Sequence, residues 1–235
     1  MNISPDASDF FDRMTLSRDL GEITAVDIKR RLVFIWCGVK TYREGLDLQA
    51  YCQKVLLEEG KFAGLILGLE HESVVSFGRR GNFLNDSYVT RDELDKNGFA
   101  IEQSERGGHA TLHSPGQLVV YPCLNLRPLG LGPREYVAEL ETSVQKLLSH
   151  FDLSTVKKGS EPGLYTESGK IAFFGLKISR GLTSHGASIN VANDLSAFSL
   201  IKSCGVLAEK FDRLRDHGIL KTPSDVFSIL PKYFL

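Results

Sequence analysis

Three short segments of the 235-residue chain hold side chains able to do group-transfer chemistry. The first runs Arg106-Gly107-Gly108-His109-Ala110-Thr111-Leu112-His113-Ser114-Pro115-Gly116-Gln117. Paired glycines let backbone approach a ligand closely and take positive φ. Amide N–H groups exposed in such a turn bind an oxyanion or a carbonyl oxygen. A plain glycine–proline turn between two strands is the alternative. The second segment is Gly169-Lys170-Ile171-Ala172-Phe173-Phe174-Gly175-Leu176-Lys177. Strand alternation groups Lys170 with Ala172 and Phe174, and an amine held among apolar groups exchanges protons nearer neutrality. The alternative is a strand-end lysine that snorkels to water. The third runs Thr183-Ser184-His185-Gly186-Ala187-Ser188-Ile189-Asn190-Val191 and on to Ser203-Cys204-Gly205. A thiol in a glycine turn is nucleophilic where a cationic neighbour favours its thiolate. Cys37, Cys52 and Cys123 lie in apolar patterns and read as small buried hydrophobes.

Other chemistries fit poorly. His109 and His113 are four apart, but Ser114-Pro115-Gly116 follows at once and no acidic third ligand stands beside them, so no metal site is assigned. His71-Glu72 does not continue into H-E-x-x-H. Neither a P-loop nor a G-x-G-x-x-G run is present, so the residues give no direct support for nucleotide use. The absence of C-x-x-C pairs speaks against zinc ribbons and dithiol redox motifs. Lys plus Arg number 28 against 29 Asp plus Glu, a net charge of −1, which argues against a general nucleic-acid binder. Four cysteines in so long a chain read as reduced thiols of a cytoplasmic protein. No secretory signal and no apolar run of about 18 residues is found, so no membrane span is expected.

The elements that must position these segments alternate along the chain. Leu32 to Trp36, Gly64 to Leu69, Val74 to Phe77, Phe99 to Gln103, Gln117 to Leu124, Lys170 to Ile178 and Leu182 to Val191 read as strands. Leu48, Cys52, Val55 and Leu56 form one helical face, and Val137, Leu140, Val144, Leu147 and Leu148 another, opened by Pro133. A hairpin is expected across Glu167-Ser168-Gly169, and a last helical stretch between Ala208 and Leu230. The expected fold is α/β (α+β), a mixed, largely antiparallel sheet with flanking helices. Residues 1–30 are taken as an N-terminal extension and 31–235 as a single domain.

Together the segments resemble the lipoyl(octanoyl) transferases, which carry R-G-G-x-x-T-x-H-G-P-G-Q, K-I-A-x-x-G, H-G-x-A-L-N-V and C-G-[I/V]. The matching runs are Arg106 to Gln117, Lys170 to Gly175, His185 to Val191 and Cys204 to Val206. Glu70-His71-Glu72-Ser73-Val74-Val75-Ser76-Phe77-Gly78-Arg79-Arg80 resembles a fifth run, E-H-x-P-V-Y-T-L-G-R-R. The likeness spans about residues 32–206. Ser114 stands in place of glycine, Ser188 of alanine and Ile189 of leucine; Ser73 and Ser76 replace proline and threonine. The two serines Ser114 and Ser188 bear on the acyl pocket and leave its preferred chain length open.

The resemblance implies the fold of the biotin/lipoate protein ligase catalytic domain and acyl transfer in two steps. Cys204 would take an octanoyl group from octanoyl-acyl carrier protein as a thioester and pass it to a lysine of a lipoyl domain. Lys170 would be its catalytic partner. Arg106, Gly107, Gly108, His109, Ala110, Thr111, Leu112, His113, Phe173, Phe174, Gly175, Gly186, Ala187 and Ser188 would bind substrate. Phe173 and Phe174 point to opposite strand faces, so only one is expected to line the pocket. The implied partners are acyl carrier protein, lipoyl domains of 2-oxoacid dehydrogenase E2 subunits and the glycine cleavage H protein. No cofactor is implied, and a monomeric cytoplasmic enzyme is expected. An ATP-dependent lipoate–protein ligase is the nearest rival, and a non-catalytic lipoyl-domain binding module a more distant one.

Overall fold

Strand alternation sets the architecture. In the strand Leu32–Lys40 (β2), Leu32 and Phe34 face one apolar cluster while Val33 and Ile35 face another. The same division recurs in Gln117–Leu124 (β7), with Leu118 and Val120 on one side and Val119, Tyr121 and Cys123 on the other. Such strands must be covered on both faces. The computed structural model describes residues 20–58, 60–158, 162–202 and 210–235.

The remaining strands are Glu22–Asp27 (β1), Gly64–His71 (β3), Val74–Phe77 (β4), Ala100–Gln103 (β5), Ala110–His113 (β6), Gly163–Tyr165 (β8), Lys170–Ser179 (β9) and Leu182–Asn190 (β10). Seven of them form one sheet in the order β1-β2-β3-β7-β10-β9-β8, and three form a second in the order β5-β4-β6. Among the described residues, β2–β3 and β4–β5 are the parallel ladders between these strands, and the others are antiparallel. The sheet is therefore mixed and largely antiparallel, as expected. It begins earlier than expected: Glu22–Asp27, inside the stretch taken for an extension, is its edge strand against β2.

Helix Tyr42–Glu58 (α1) lays Cys52, Val55 and Leu56 on one face of the large sheet. Short helices Phe83–Asp86 (α2) and Arg91–Lys96 (α3) follow β4. Helix Pro133–Ser149 (α4) packs Tyr136, Leu140, Val144 and Leu147 on the opposite face, with Val226 and Phe227 of helix Pro223–Ile229 (α5). The expected last helical stretch is thus shorter: a 3₁₀ turn at Leu214–His217, then α5 opened by a Thr222 capping box and Pro223. A third apolar cluster sits on the small sheet, where Val75, Phe77 and Leu112 meet Phe173 and Phe198.

The chain crosses between the sheets at two neighbouring points, Glu72-Ser73 and Ser114-Pro115-Gly116. Gly116 has φ +89°, and a Cβ there would lie 2.6 Å from the Asn193 amide nitrogen. Its N–H donates to Glu70 Oε2 at 2.6 Å. The crossing needs glycine, and it sets His71 and His113 side by side, ring centroids 5.5 Å apart.

Candidate active site

A cavity of ≈ 360 Å³ opens where the two sheets meet. The loop before β6 forms one wall. Arg106 is buried, its Nη2 donating to the Ser76 carbonyl at 2.5 Å and to Ser76 Oγ at 3.0 Å, and its Nη1 to the Gly107 carbonyl at 3.1 Å. Gly107 N–H is pinned to Leu176 O of β9 at 2.9 Å. Arg79 and Arg80 N–H groups hold the carbonyls of Arg106 and Gly108. Gly78 lies so close that a Cβ there would stand 2.5 Å from the Gly108 oxygen. Held in this way, the Gly108 and His109 N–H groups donate to no backbone carbonyl among the described residues.

Arg106, Gly107, Gly108, His109, Ala110, Thr111, His113, Phe173, Phe174, Gly175, Gly186, Ala187 and Ser188 all line the cavity. Leu112 does not: alternation along β6 turns it into the third apolar cluster. Phe173 and Phe174 both line it, against the expectation of one. The reason is that the cavity takes in residues from both sheet faces. Phe174, Ala187 and Val137 come from the main-core side, and Phe173, Ser188 and His113 from the other. Gly175 and Gly186, paired between them on β9 and β10, carry no side chains to fill the gap. Of the two serines set apart in the sequence, Ser188 lines the cavity and Ser114 does not.

Lys170 is fully buried. Its Nζ lies 5.1 Å from the Phe173 ring centroid and 5.3 Å from that of Tyr165, within range for cation–π attraction. It therefore does not lie with Ala172 and Phe174. A bulge opposes Ile171 and Ala172 to the single residue Leu164, and both turn into the main core. The alternation slips by one residue, and Lys170 passes to the face of Phe173. Gly163 makes the room, for a Cβ there would stand 2.3 Å from Lys170 Cε.

Cys204 lies outside the described residues, but the residues flanking its segment are fixed. Lys202 N–H donates to Asp86 O at 2.8 Å, and Ile201 bridges to Ser87. On the far side Lys210 O accepts from Lys170 N–H at 2.8 Å, and Asp212 N–H donates to Lys170 O at 3.0 Å. The Asp212 carboxylate is buried, where it accepts from Thr166 Oγ1, from the Arg213 N–H at 2.9 Å and pairs with His217 Nε2 at 2.7 Å. The other three thiols, Cys37, Cys52 and Cys123, are buried. Burial pushes Cys37 up to about 12, and a hydrogen bond to Cys123 together with burial holds Cys52 well above its ordinary value.

The histidines are held in different ways. His109 Nδ1 lies 3.5 Å from the buried Asp86 carboxylate. His113 Nδ1 is 2.6 Å from Gln117 Oε1, and burial lowers its pKa to about 3. His185, at φ +56°, has a buried Nδ1 with no partner among the described residues. Burial, then the charges of Arg106 and Lys177, lower its pKa to about 4. His71 pairs with the Lys40 carbonyl through Nδ1 at 3.0 Å, and burial brings it to about 4. Since a carbonyl only accepts, Nδ1 carries the proton, and Tyr121 OH donates to Nε2 at 2.7 Å. Sequence reasoning missed Tyr42 and Tyr121, which line the cavity beside these rings, and Val119 and Val137. Nothing local in the sequence marks them. His71, within the run quoted above, had a signal but no role.

The family model for the lipoyl protein ligase A/B catalytic domain matches residues 41–233. The curated octanoyltransferase of Saccharophagus degradans is 33% identical over 200 residues, covering 85% of this chain and 84% of that protein. That of Syntrophobacter fumaroxidans is 34% identical, covering 75% and 77%. The fold is that of a crystal structure of lipoate-protein ligase A bound with ATP, TM-score 0.67 at 16% identity over 86% of this chain and 82% of that one. A Thermoplasma acidophilum protein described as a putative lipoate protein ligase with bound lipoic acid gives 0.64 at 15% identity, over 85% and 82%. By sequence and by fold, the chain belongs to the lipoyl protein ligase A/B catalytic-domain family, and within it to the octanoyltransferases.

Proposed function

We propose that this acyltransferase moves an octanoyl group from octanoyl-acyl carrier protein to a lysine of lipoyl domains, in lipoate biosynthesis, through a thioester on Cys204. The acceptors are lipoyl domains of 2-oxoacid dehydrogenase E2 subunits and the glycine cleavage H protein. Residues 31–235, with β1 added, act as one catalytic domain.

The observation that carries the reading is the pairing of an apolar cavity with a fully buried lysine amine against its wall. Val119, Val137, Phe174 and Ala187 offer the acyl chain an apolar wall. At ≈ 360 Å³ the space is at the small end of ligand sites, about 300–1,000 Å³, and suits one acyl chain. Lys170 lies against Phe173 at its wall, on the strand to which residues 210–212 are bonded.

In the first step the Cys204 thiolate attacks the thioester carbonyl, the carrier's C–S bond breaks, and the carrier thiol leaves with a proton. Lys170, as an ammonium, favours the thiolate and serves as the proton's source. In the second step the neutral acceptor lysine amine attacks the new thioester, its surplus proton passes to the Lys170 amine left neutral by the first step, an amide forms, and the Cys204 thiolate is released beside the restored ammonium. The N–H groups of Gly108 and His109 suit the oxyanion of both steps, and removing such a donor costs about 10²–10³ in rate. Arg79, exposed, and Arg80, exposed at the cavity mouth, suit an acidic carrier.

The test is mass spectrometry after incubation with octanoyl-acyl carrier protein and apo lipoyl domain, with and without ATP. Octanoylation at equal rate in both supports the transferase. Strict ATP dependence supports the ligase, and binding without reaction the non-catalytic module.

A further inference from the structure

Gln117 and Asn190 are fully buried, and neither has a part in the chemistry above. Their hydrogen bonds can be oriented from a fixed point. Asn190 lies 3.0 Å from the Asp212 carbonyl, which can only accept, so Nδ2 faces it and Oδ1 faces the other way. Asn190 Oδ1 then accepts from Gln117 Nε2 at 2.9 Å and from Asn193 Nδ2 at 3.1 Å. That orientation leaves Gln117 Oε1 toward His113 Nδ1, 2.6 Å away. The proton must sit on Nδ1. His113 lines the cavity, and its Nε2 has no hydrogen-bond partner among the described residues. The chain starts at the catalytic strand, since Asp212 N–H donates to the Lys170 carbonyl.

We infer that Gln117 and Asn190 are positioning residues that lock His113 in the Nδ1–H tautomer, so that its Nε2 lone pair receives an N–H donor of the substrate. This rests on the acyl-transfer reading above. The acyl chain and the thioester offer no donor. Two substrate groups do: the acceptor lysine amine, and an amide of the carrier's thioester arm. Burial keeps the imidazole neutral at pH 7, so the lone pair stays available. With solvent-exposed histidine the tautomer would be unfixed; here three buried amides fix it.

The test uses the full chain labelled with ¹⁵N, the His113 signals being assigned with His113→Gln. Long-range ¹H–¹⁵N spectra at pH 7 should show a protonated Nδ1 and an unprotonated Nε2; the reverse pattern overturns the assignment. Gln117→Glu keeps an acceptor beside Nδ1 and adds a negative charge, which favours the imidazolium and moves its titration up by about one pH unit or more. The acid limb of one half-reaction should move up with it. Movement in discharge of the acyl-enzyme to a lipoyl domain identifies the lysine amine as the donor. Movement in acyl-enzyme formation identifies the carrier's arm. A shifted titration with neither limb moved overturns the role. Gln117→Leu, which abolishes the Nδ1 acceptor, should slow the same half-reaction at least tenfold at fixed KM for the other substrate. Failure of the wild type to form an acyl-enzyme would sink the acyl-transfer reading, while the spectrum still decides the tautomer.

Discussion

At the scale of residues, Lys170 is the described side chain on which the proposed chemistry turns. Lys170 has no surface exposure; an ammonium is costly to bury, and the rings of Tyr165 and Phe173 are placed to offset part of that cost for the charged form. Replacing it by Lys170→Met keeps the volume and removes the charge. Octanoyl transfer should fall by about 10²–10⁴-fold with an unchanged circular dichroism spectrum; transfer within a factor of two of wild type would contradict the role. Cys204 and Lys170 were both marked by the sequence as candidates, yet the surroundings of Lys170 were misjudged. The alternation rule assumes an unbroken strand, and the bulge at Ile171 is a matter of pairing with β8, which no local pattern reports. Tyr42 and Tyr121 escaped notice for a related reason: a tyrosine in an apolar helix or strand reads as core until folding brings His71 and His113 to it.

At the scale of elements, β8 and β9 do the positioning. Gly163 on β8 is the residue that gives the lysine its space. Gly163→Ala should push the amine from its place and lower the rate of acyl-enzyme formation by about tenfold or more. Overpacking of this kind typically costs about 1–3 kcal/mol of stability. An unchanged rate in a folded Gly163→Ala protein would show that the lysine's position is not set by β8. The helices were legible from their apolar stripes, and most strands of the large sheet from their apolar content. The edge strand β1 was not, because Glu22–Asp27 is short and never fully buried. The joining of two sheets at Gly116 was hidden too, since a Ser-Pro-Gly turn looks the same whether it closes a hairpin or crosses between sheets.

At the scale of the whole molecule, buried neutral histidines and a rim of arginines make separate predictions. Burial lowers His71 to about 4, His113 to about 3 and His185 to about 4. In the unfolded chain histidine titrates near 6.5, so between about pH 6.5 and these values the unfolded state binds more protons than the folded one. The stability these three histidines contribute is full above about pH 6.5 and is lost as pH falls below it toward the folded-state values. The urea midpoint should drop between pH 6.5 and 5, above the range of the carboxylates; a flat midpoint there would contradict the burial of these rings. At the rim, Arg79→Glu with Arg80→Glu should raise KM for the acidic carrier about tenfold at low salt and less at high salt; an unchanged KM would refute docking there. The central claim, a thioester on Cys204, is tested most directly by the intact mass of the protein after brief mixing with octanoyl-acyl carrier protein alone. The wild type should gain one octanoyl group, removable by hydroxylamine, and Cys204→Ser should gain no hydroxylamine-labile group. A wild-type-like adduct on Cys204→Ser would contradict the account.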